Sequence, residues 1–173
     1  MAHQSARRGR LPLLALAVAL AACGQEADSL ASSCGEGEPA LELLTGYGDL
    51  AWPVEEGGAV QVHCGSQGLR HVQIQLVATG VTPTYRYAAS LRDFESGEIY
   101  GESAPSVTAR FYQVDGACRS HQILLVIDAL SSAIEGRSAI LAARIDDEDG
   151  RAIAIERRVT LDTSRMHCEG PPL

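Results

Sequence analysis

The stretch His71-Val72-Gln73-Ile74-Gln75-Leu76 alternates apolar and polar residues without a break. An extended chain sends successive side chains to opposite faces, so Val72, Ile74 and Leu76 form one apolar stripe. A helix would scatter them around its circumference. This segment is a half-buried β-strand, and the chain on both sides repeats its pattern. Val60 and Val62 alternate with Gln61 and His63. Tyr85, Tyr87, Ala89 and Leu91 oppose Arg86, Ser90 and Arg92, and Val107, Ala109 and Phe111 oppose Thr108, Arg110 and Tyr112. Ala139, Leu141, Ala143 and Ile145 alternate next. The pair Asp149-Gly150 then marks a hairpin, and Ile153, Ile155, Val159 and Leu161 line the returning strand. The continuous apolar run from Ile123 to Ile127 predicts a central strand covered on both faces.

No stretch carries a convincing helical period. Residues 129–142 are the only candidate, and Gly136 interrupts them. Seven to nine strands at regular spacing predict an all-β fold, an antiparallel β-sandwich of immunoglobulin-like architecture. The immunoglobulin Cys…Trp…Cys arrangement is missing, because Trp52 precedes every clear strand. The resemblance is therefore one of architecture. Residues 39–168 are assigned to the sandwich and 169–173 to a C-terminal tail. Residues 24–38 are small, polar and acidic, which predicts a flexible tether within a 23–38 segment that begins at Cys23.

The N-terminus gives an address. Arg7, Arg8 and Arg10 precede an apolar core from Leu11 to Leu20, and small residues lead to Cys23. That is the layout of a secretory signal peptide over 1–22. The core is far short of the roughly 20 residues that span a bilayer. Ala6 and Gly9-Arg10 fit the twin-arginine pattern badly, so general secretion is expected. Leu20-Ala21-Ala22-Cys23 resembles the lipobox of bacterial lipoproteins. The resemblance implies a diacylglyceryl group on the Cys23 thiol, cleavage just before it and acylation of the new amine. Gly24, rather than Asp, implies the outer membrane of a Gram-negative cell. Further along, the segment from Gly65 to Leu76, the Gly46-Tyr47-Gly48 turn, Glu135-Gly136-Arg137 and Asp149-Gly150-Arg151 resemble secreted β-sandwich lipoproteins of GC-rich bacteria. That resemblance brings no activity with it.

Composition narrows the partners. The 173 residues contain 14 basic and 22 acidic side chains; without its signal the chain carries a net charge of −11. Such a chain is a poor ligand for nucleic acid, and anionic membrane surfaces repel it. Attachment to the lipid bilayer therefore rests on acylated Cys23, at about 0.8 kcal/mol per buried CH₂.

Four cysteines remain in the exported part, Cys34, Cys64, Cys118 and Cys168. An oxidising compartment predicts two disulfides. If strands alternate up and down, the turns with Cys64 and Cys118 fall at one end, and Cys34 and Cys168 at the other. That predicts Cys34–Cys168 and Cys64–Cys118. The rival is a metal site, since His63-Cys64, Cys118-Arg119-Ser120-His121 and His167-Cys168 each pair a thiol with an imidazole. No CxxC unit supports it. Asp146, Asp147, Glu148 and Asp149 form the densest acidic cluster and are the only oxygen donors that suggest Ca²⁺. Ile145 sits where an EF-hand needs a carboxylate, so a solvated hairpin tip is expected.

Gly65-Ser66-Gln67-Gly68 is not a G-x-S-x-G nucleophile elbow, and His63, His71, His121 and His167 have no triad spacing. No enzyme, catalytic residue or cofactor is expected. Trp52, Tyr47, Tyr85 and Tyr87 could make an aromatic sugar platform, but Trp52-Pro53 beside a glycine turn is expected to plug the core. The expected role is a membrane-tethered binding or scaffold module whose partner is an envelope protein or glycan. A metal- or calcium-binding protein is the alternative, with a hydrolase third.

Overall fold

The computed structural model describes residues 29–164, apart from 48–49, 66–67, 105–106 and 129–130. In chain order the strands are β1 (Ser29–Leu30), β2 (Ala40–Thr45), β3 (Trp52–Pro53), β4 (Ala59–Gln61), β5 (His63–Cys64), β6 (Arg70–Thr79) and β7 (Thr84–Asp93). There follow β8 (Ile99–Glu102), β9 (Val107–Arg110), β10 (Tyr112–Val114), β11 (Ala117–Arg119) and β12 (Ile123–Ile127). The single helical turn α1 (Ser131–Ile134) precedes β13 (Ser138–Asp147) and β14 (Ala152–Asp162). The protein is an all-β, immunoglobulin-like sandwich.

The alternating stretch becomes β6, the axis of the first sheet. Val72, Ile74, Leu76 and Ala78 on its inner face are at most 1% exposed. One edge of β6 pairs with β2 and β5; the other pairs with β12 and β11, beyond which lie β10 and β1. The second sheet is built on β7 and β13, paired through nine residues, with β14 and β4 beyond β13. Their inner faces supply Leu91, Leu141, Ile145, Val159 and Leu161, all buried. Every pairing is antiparallel except that of β4 with β14.

Among the described strands, β8 pairs with both sheets. It pairs with β7 at Ser90–Arg92 and with β12 at Val126 and Ile127. Gly101 makes this possible, because a Cβ there would lie 2.4 Å from the Val126 carbonyl oxygen. At the other end β9 takes the place of β8 beside β7. The chain then changes sheets at Phe111: its amide donates to the Pro83 carbonyl, and its own carbonyl accepts from the Ala31 amide.

Several expectations need correction. The described segments number fourteen strands rather than seven to nine, because bulges and sheet changes break long strands into pieces. β12 is not covered on both faces: Leu124 and Val126 are 48% and 45% exposed on the outer side of the first sheet. The fold begins by Ser29, not Pro39. Leu30 pairs with Tyr112, and Ala31 is fully buried.

That early entry also overturns the predicted disulfide pairing. Cys34 is bonded to Cys118, with Cα atoms 5.4 Å apart. Residues before Pro39 lie inside the sandwich, since β1 runs beside β10 and carries Cys34 to β11. Cys64 is itself in a disulfide, so neither Cys34–Cys168 nor Cys64–Cys118 forms. The partner of Cys64 lies outside the described residues, as do Cys23, Cys168 and the tail 169–173. Trp52 is no core plug either. It is 49% exposed on the edge strand β3, its ring lying over Gly46, where φ is +113° and a Cβ would meet the ring at 2.8 Å.

Candidate functional site

The two ends of the sandwich differ. At the joined end, β7 finishes on Asp93, whose side chain is 2% exposed. Its Oδ2 accepts the Tyr100 hydroxyl at 2.5 Å and Arg137 Nη2 at 2.9 Å. Its Oδ1 accepts the backbone amides of Glu95 and Ser96 and the Ser96 hydroxyl. These donors, the Tyr100 hydroxyl foremost, hold the Asp93 carboxyl well below its ordinary pKa. Every lone pair has a use, so this carboxylate is a clamp that fixes β8 against β7.

The other end is open. A groove of about 510 Å³ runs between β9 and the start of β12, lined by Leu30, Tyr85, Tyr87, Val107, Ala109, Arg110, Tyr112 and His121, with Thr84, Thr108, Gln122 and Ile123. Its floor is aromatic. Tyr85 is buried and stacked on Phe111 with ring centres 4.0 Å apart, and Tyr87 lies 6.1 Å from Tyr85. Burial pushes the Tyr85 phenol far above its usual pKa, so it stays neutral. On one wall the His121 imidazole meets the Tyr112 ring edge-on and its Nε2 hydrogen-bonds the Tyr112 hydroxyl. Leu30 and Val107 stand exposed at the rim.

Among the described residues, both strand edges facing the groove have no strand partner. Phe111 N bonds to Pro83 O, so in the antiparallel ladder Ala109 and Val107 also turn their amides toward β7. Thr108 and Arg110 then point their N–H and C=O groups into the groove. On the other side Asp128 N bonds to Tyr100 O, so Val126 faces β8 and Leu124, two residues earlier, faces the opening. Aromatic faces, apolar rim residues and strand edges without a partner among the described residues make a surface that can hold an extended ligand. Among the described residues that line it, no nucleophile is paired with a base and an oriented acid.

A second hollow, of about 390 Å³, lies over β7, β13 and β14, floored by Ala88, Ser90, Ala142 and Ala154 and rimmed by Glu102, Arg144 and Glu156. It offers no aromatic ring.

The sequence candidates fall into separate places. Tyr47, His63 and His71 meet at the far end of β6 from the groove, with Tyr47–His63 ring centres at 4.9 Å and His63–His71 at 5.9 Å. Burial, then the neighbouring His71, pulls the His63 pKa down. His121 is in the groove and His167 lies outside the described residues, as do Ser66 and Gln67. The four-ring sugar platform does not assemble, because Tyr85 and Tyr87 sit in the groove while Tyr47 and Trp52 stand at the opposite end. Leu30, Tyr112 and His121 were missed as groove residues. Leu30 lay in the presumed tether, and no local signal joins it to residues 80 positions away.

The acidic hairpin is largely consumed. Asp146 pairs with Arg144 at 2.7 Å and Asp149 with Arg151 at 3.4 Å. Asp147 is turned inward, contrary to a fully solvated tip: Oδ1 accepts the Arg151 amide at 2.8 Å and Oδ2 the Thr82 amide at 3.4 Å. Among the described residues no cluster of three or more His, Cys, Asp or Glu is arranged to hold a metal ion, and no helix is long and apolar enough to cross a membrane.

No family model matches the sequence, and no curated protein matches it significantly. Solved structures that resemble the chain include CopC from Methylosinus trichosporium OB3b, at 18% identity and a TM-score of 0.36 over 64% of this chain and 87% of that one. Murine CRIg follows at 11% and 0.35, covering 73% and 98%, and the N-terminal domain of PorA at 10% and 0.34, covering 73% and 100%.

Proposed function

We propose that this chain is a lipid-anchored protein of the cell envelope whose sandwich is a non-catalytic binding module, with the groove between β9 and β12 as its binding surface. The observation that carries the reading is the opening between the sheets, where exposed Leu30 and Val107 and the rings of Tyr87 and Tyr112 flank strand edges unpaired among the described residues. Burying such a rim at about 25 cal/mol per Å² favours an extended ligand, and the free peptide groups add direction. An envelope protein segment or a glycan presents the required shape.

The anchor reading rests on Leu20-Ala21-Ala22-Cys23 behind the arginine-flanked apolar core. With the fold beginning by Ser29, residues 24–28 span at most about 18 Å. The outer membrane is the expected site, and the domain works close to it.

Two experiments test the halves separately. Fatty-acid labelling in cells should mark the wild type and not Cys23→Ala; equal label in both contradicts the anchor. Formaldehyde crosslinking in intact cells should give a discrete adduct that Leu30→Glu and Val107→Glu abolish while the protein stays folded. An adduct unchanged in both variants contradicts the groove.

A further inference from the structure

We propose that His63 and His71 form a two-imidazole site for a divalent transition ion of borderline hardness, Zn²⁺, Ni²⁺ or Cu²⁺. The two residues are direct cross-strand partners in the antiparallel pair β5–β6, so both side chains leave the same face of the sheet. Their ring centres are 5.9 Å apart. An imidazole nitrogen binds such ions at about 2.0–2.1 Å, which puts each ring centre roughly 3.2 Å from the metal. Two rings on one ion then have centres about 5.2 Å apart at a tetrahedral angle and about 6.4 Å apart in a linear arrangement. The observed spacing falls inside that window with no strand movement.

The donors suit the ion and are held ready. His71 is only 8% exposed, and its Nδ1 lies 3.5 Å from the Leu69 carbonyl oxygen. That contact favours the tautomer with the proton on Nδ1 and leaves the Nε2 lone pair for a metal. The Tyr47 ring packs edge-on against His63 and limits its rotation. Water completes the coordination. Imidazole selects Zn²⁺, Ni²⁺ and Cu²⁺ over Ca²⁺ and Mg²⁺, which need oxygen donors. The thiols that might have competed as ligands are closed off, Cys64 and Cys118 being in disulfides. The net negative charge of the chain concentrates cations around it. This site lies at the opposite end of β6 from the groove, and its reading stands or falls without it.

The test titrates Cu²⁺ and Zn²⁺ into the full chain in detergent after dialysis against chelator. One ion should bind per chain, and the Cu²⁺ complex should show two equivalent nitrogen couplings by electron paramagnetic resonance. His63→Gln should weaken binding by at least the roughly 10- to 100-fold that loss of an outer-shell partner costs, while His121→Gln leaves it unchanged. His71→Gln should act as His63→Gln does; if it fails to fold, the half-exposed His63 variant decides alone. Binding of unchanged strength and unchanged nitrogen couplings in His63→Gln would overturn the assignment, and so would loss of binding in His121→Gln.

Discussion

Phe111 stacks on Tyr85 with 20° between the ring planes, and the chain changes sheets at that contact. Its backbone bonds to Pro83 on the second sheet and Ala31 on the first, so one residue ties both walls of the groove. Both rings are at most 2% exposed. Phe111→Ala should therefore cost about 3–5 kcal/mol, the usual range for emptying a buried aromatic site. Denaturant unfolding should show a lower midpoint with an unchanged slope. Phe111→Leu, which refills much of the volume, should cost less.

The Cys34–Cys118 bond spans 84 residues and fastens β1 to the sheet that carries β11. Closing a loop of this length stabilises by about 4–5 kcal/mol in the chain-entropy account. Non-reducing peptide mapping should recover a Cys34–Cys118 peptide. With Cys23 acylated, it should also recover Cys64 joined to Cys168. Cys34→Ser with Cys118→Ser should lower the melting temperature sharply, and exchange of the Ser29–Leu30 amides should speed up.

The fold was legible wherever one face of a strand is buried. The alternation of 71–76, 85–91 and 139–145 placed β6, β7 and β13 and chose their inner faces. It failed where burial is decided by partners far along the chain. Ser29–Leu30 has no period of its own and becomes a strand only because Tyr112–Gln113 lies beside it. The continuous run in β12 suggested cover on both faces, yet Leu124 and Val126 are exposed, since an apolar run does not say what lies over each face. The β10–β11 hairpin at Asp115-Gly116, with φ of +50° and +77°, is an Asp-Gly turn as clear as Asp149-Gly150 and went unread. Groove and histidine pair are both products of pairing across the chain, so their residues were visible only singly.

Asp93 gives the fold an acid limit. Its carboxyl is held below the ordinary value of 3.8, so the folded state keeps it ionised at pH values where the unfolded chain takes up a proton. Its contribution is complete above the unfolded value and is lost as pH falls through the folded one. Asp93→Asn should lower the melting temperature at neutral pH, because Arg137 and Tyr100 lose their charged acceptor. The difference between variant and wild type should shrink below about pH 4, where the unfolded wild type becomes protonated. Melting curves from pH 2 to 7 measure both.

The hairpin acids should separate by role. Asp147→Ala leaves the Arg151 and Thr82 amides without their acceptor and should cost about 1–3 kcal/mol. Glu148→Gln, whose carboxylate accepts no hydrogen bond among the described residues, should be neutral within about 0.5 kcal/mol. Millimolar Ca²⁺ should leave the melting temperature of the wild type unchanged. A rise of several degrees that Asp147→Ala abolishes would make the hairpin a calcium site.

The central claim is that the open end of the sandwich is the surface that binds. Photo-crosslinking in intact cells tests it most directly, with the reactive side chain placed in turn at Val107 on the groove rim and at Ala154 in the floor of the second hollow. The account predicts a discrete adduct from position 107, weakened by Tyr112→Ala, and none from position 154. An adduct from position 154 alone would contradict it.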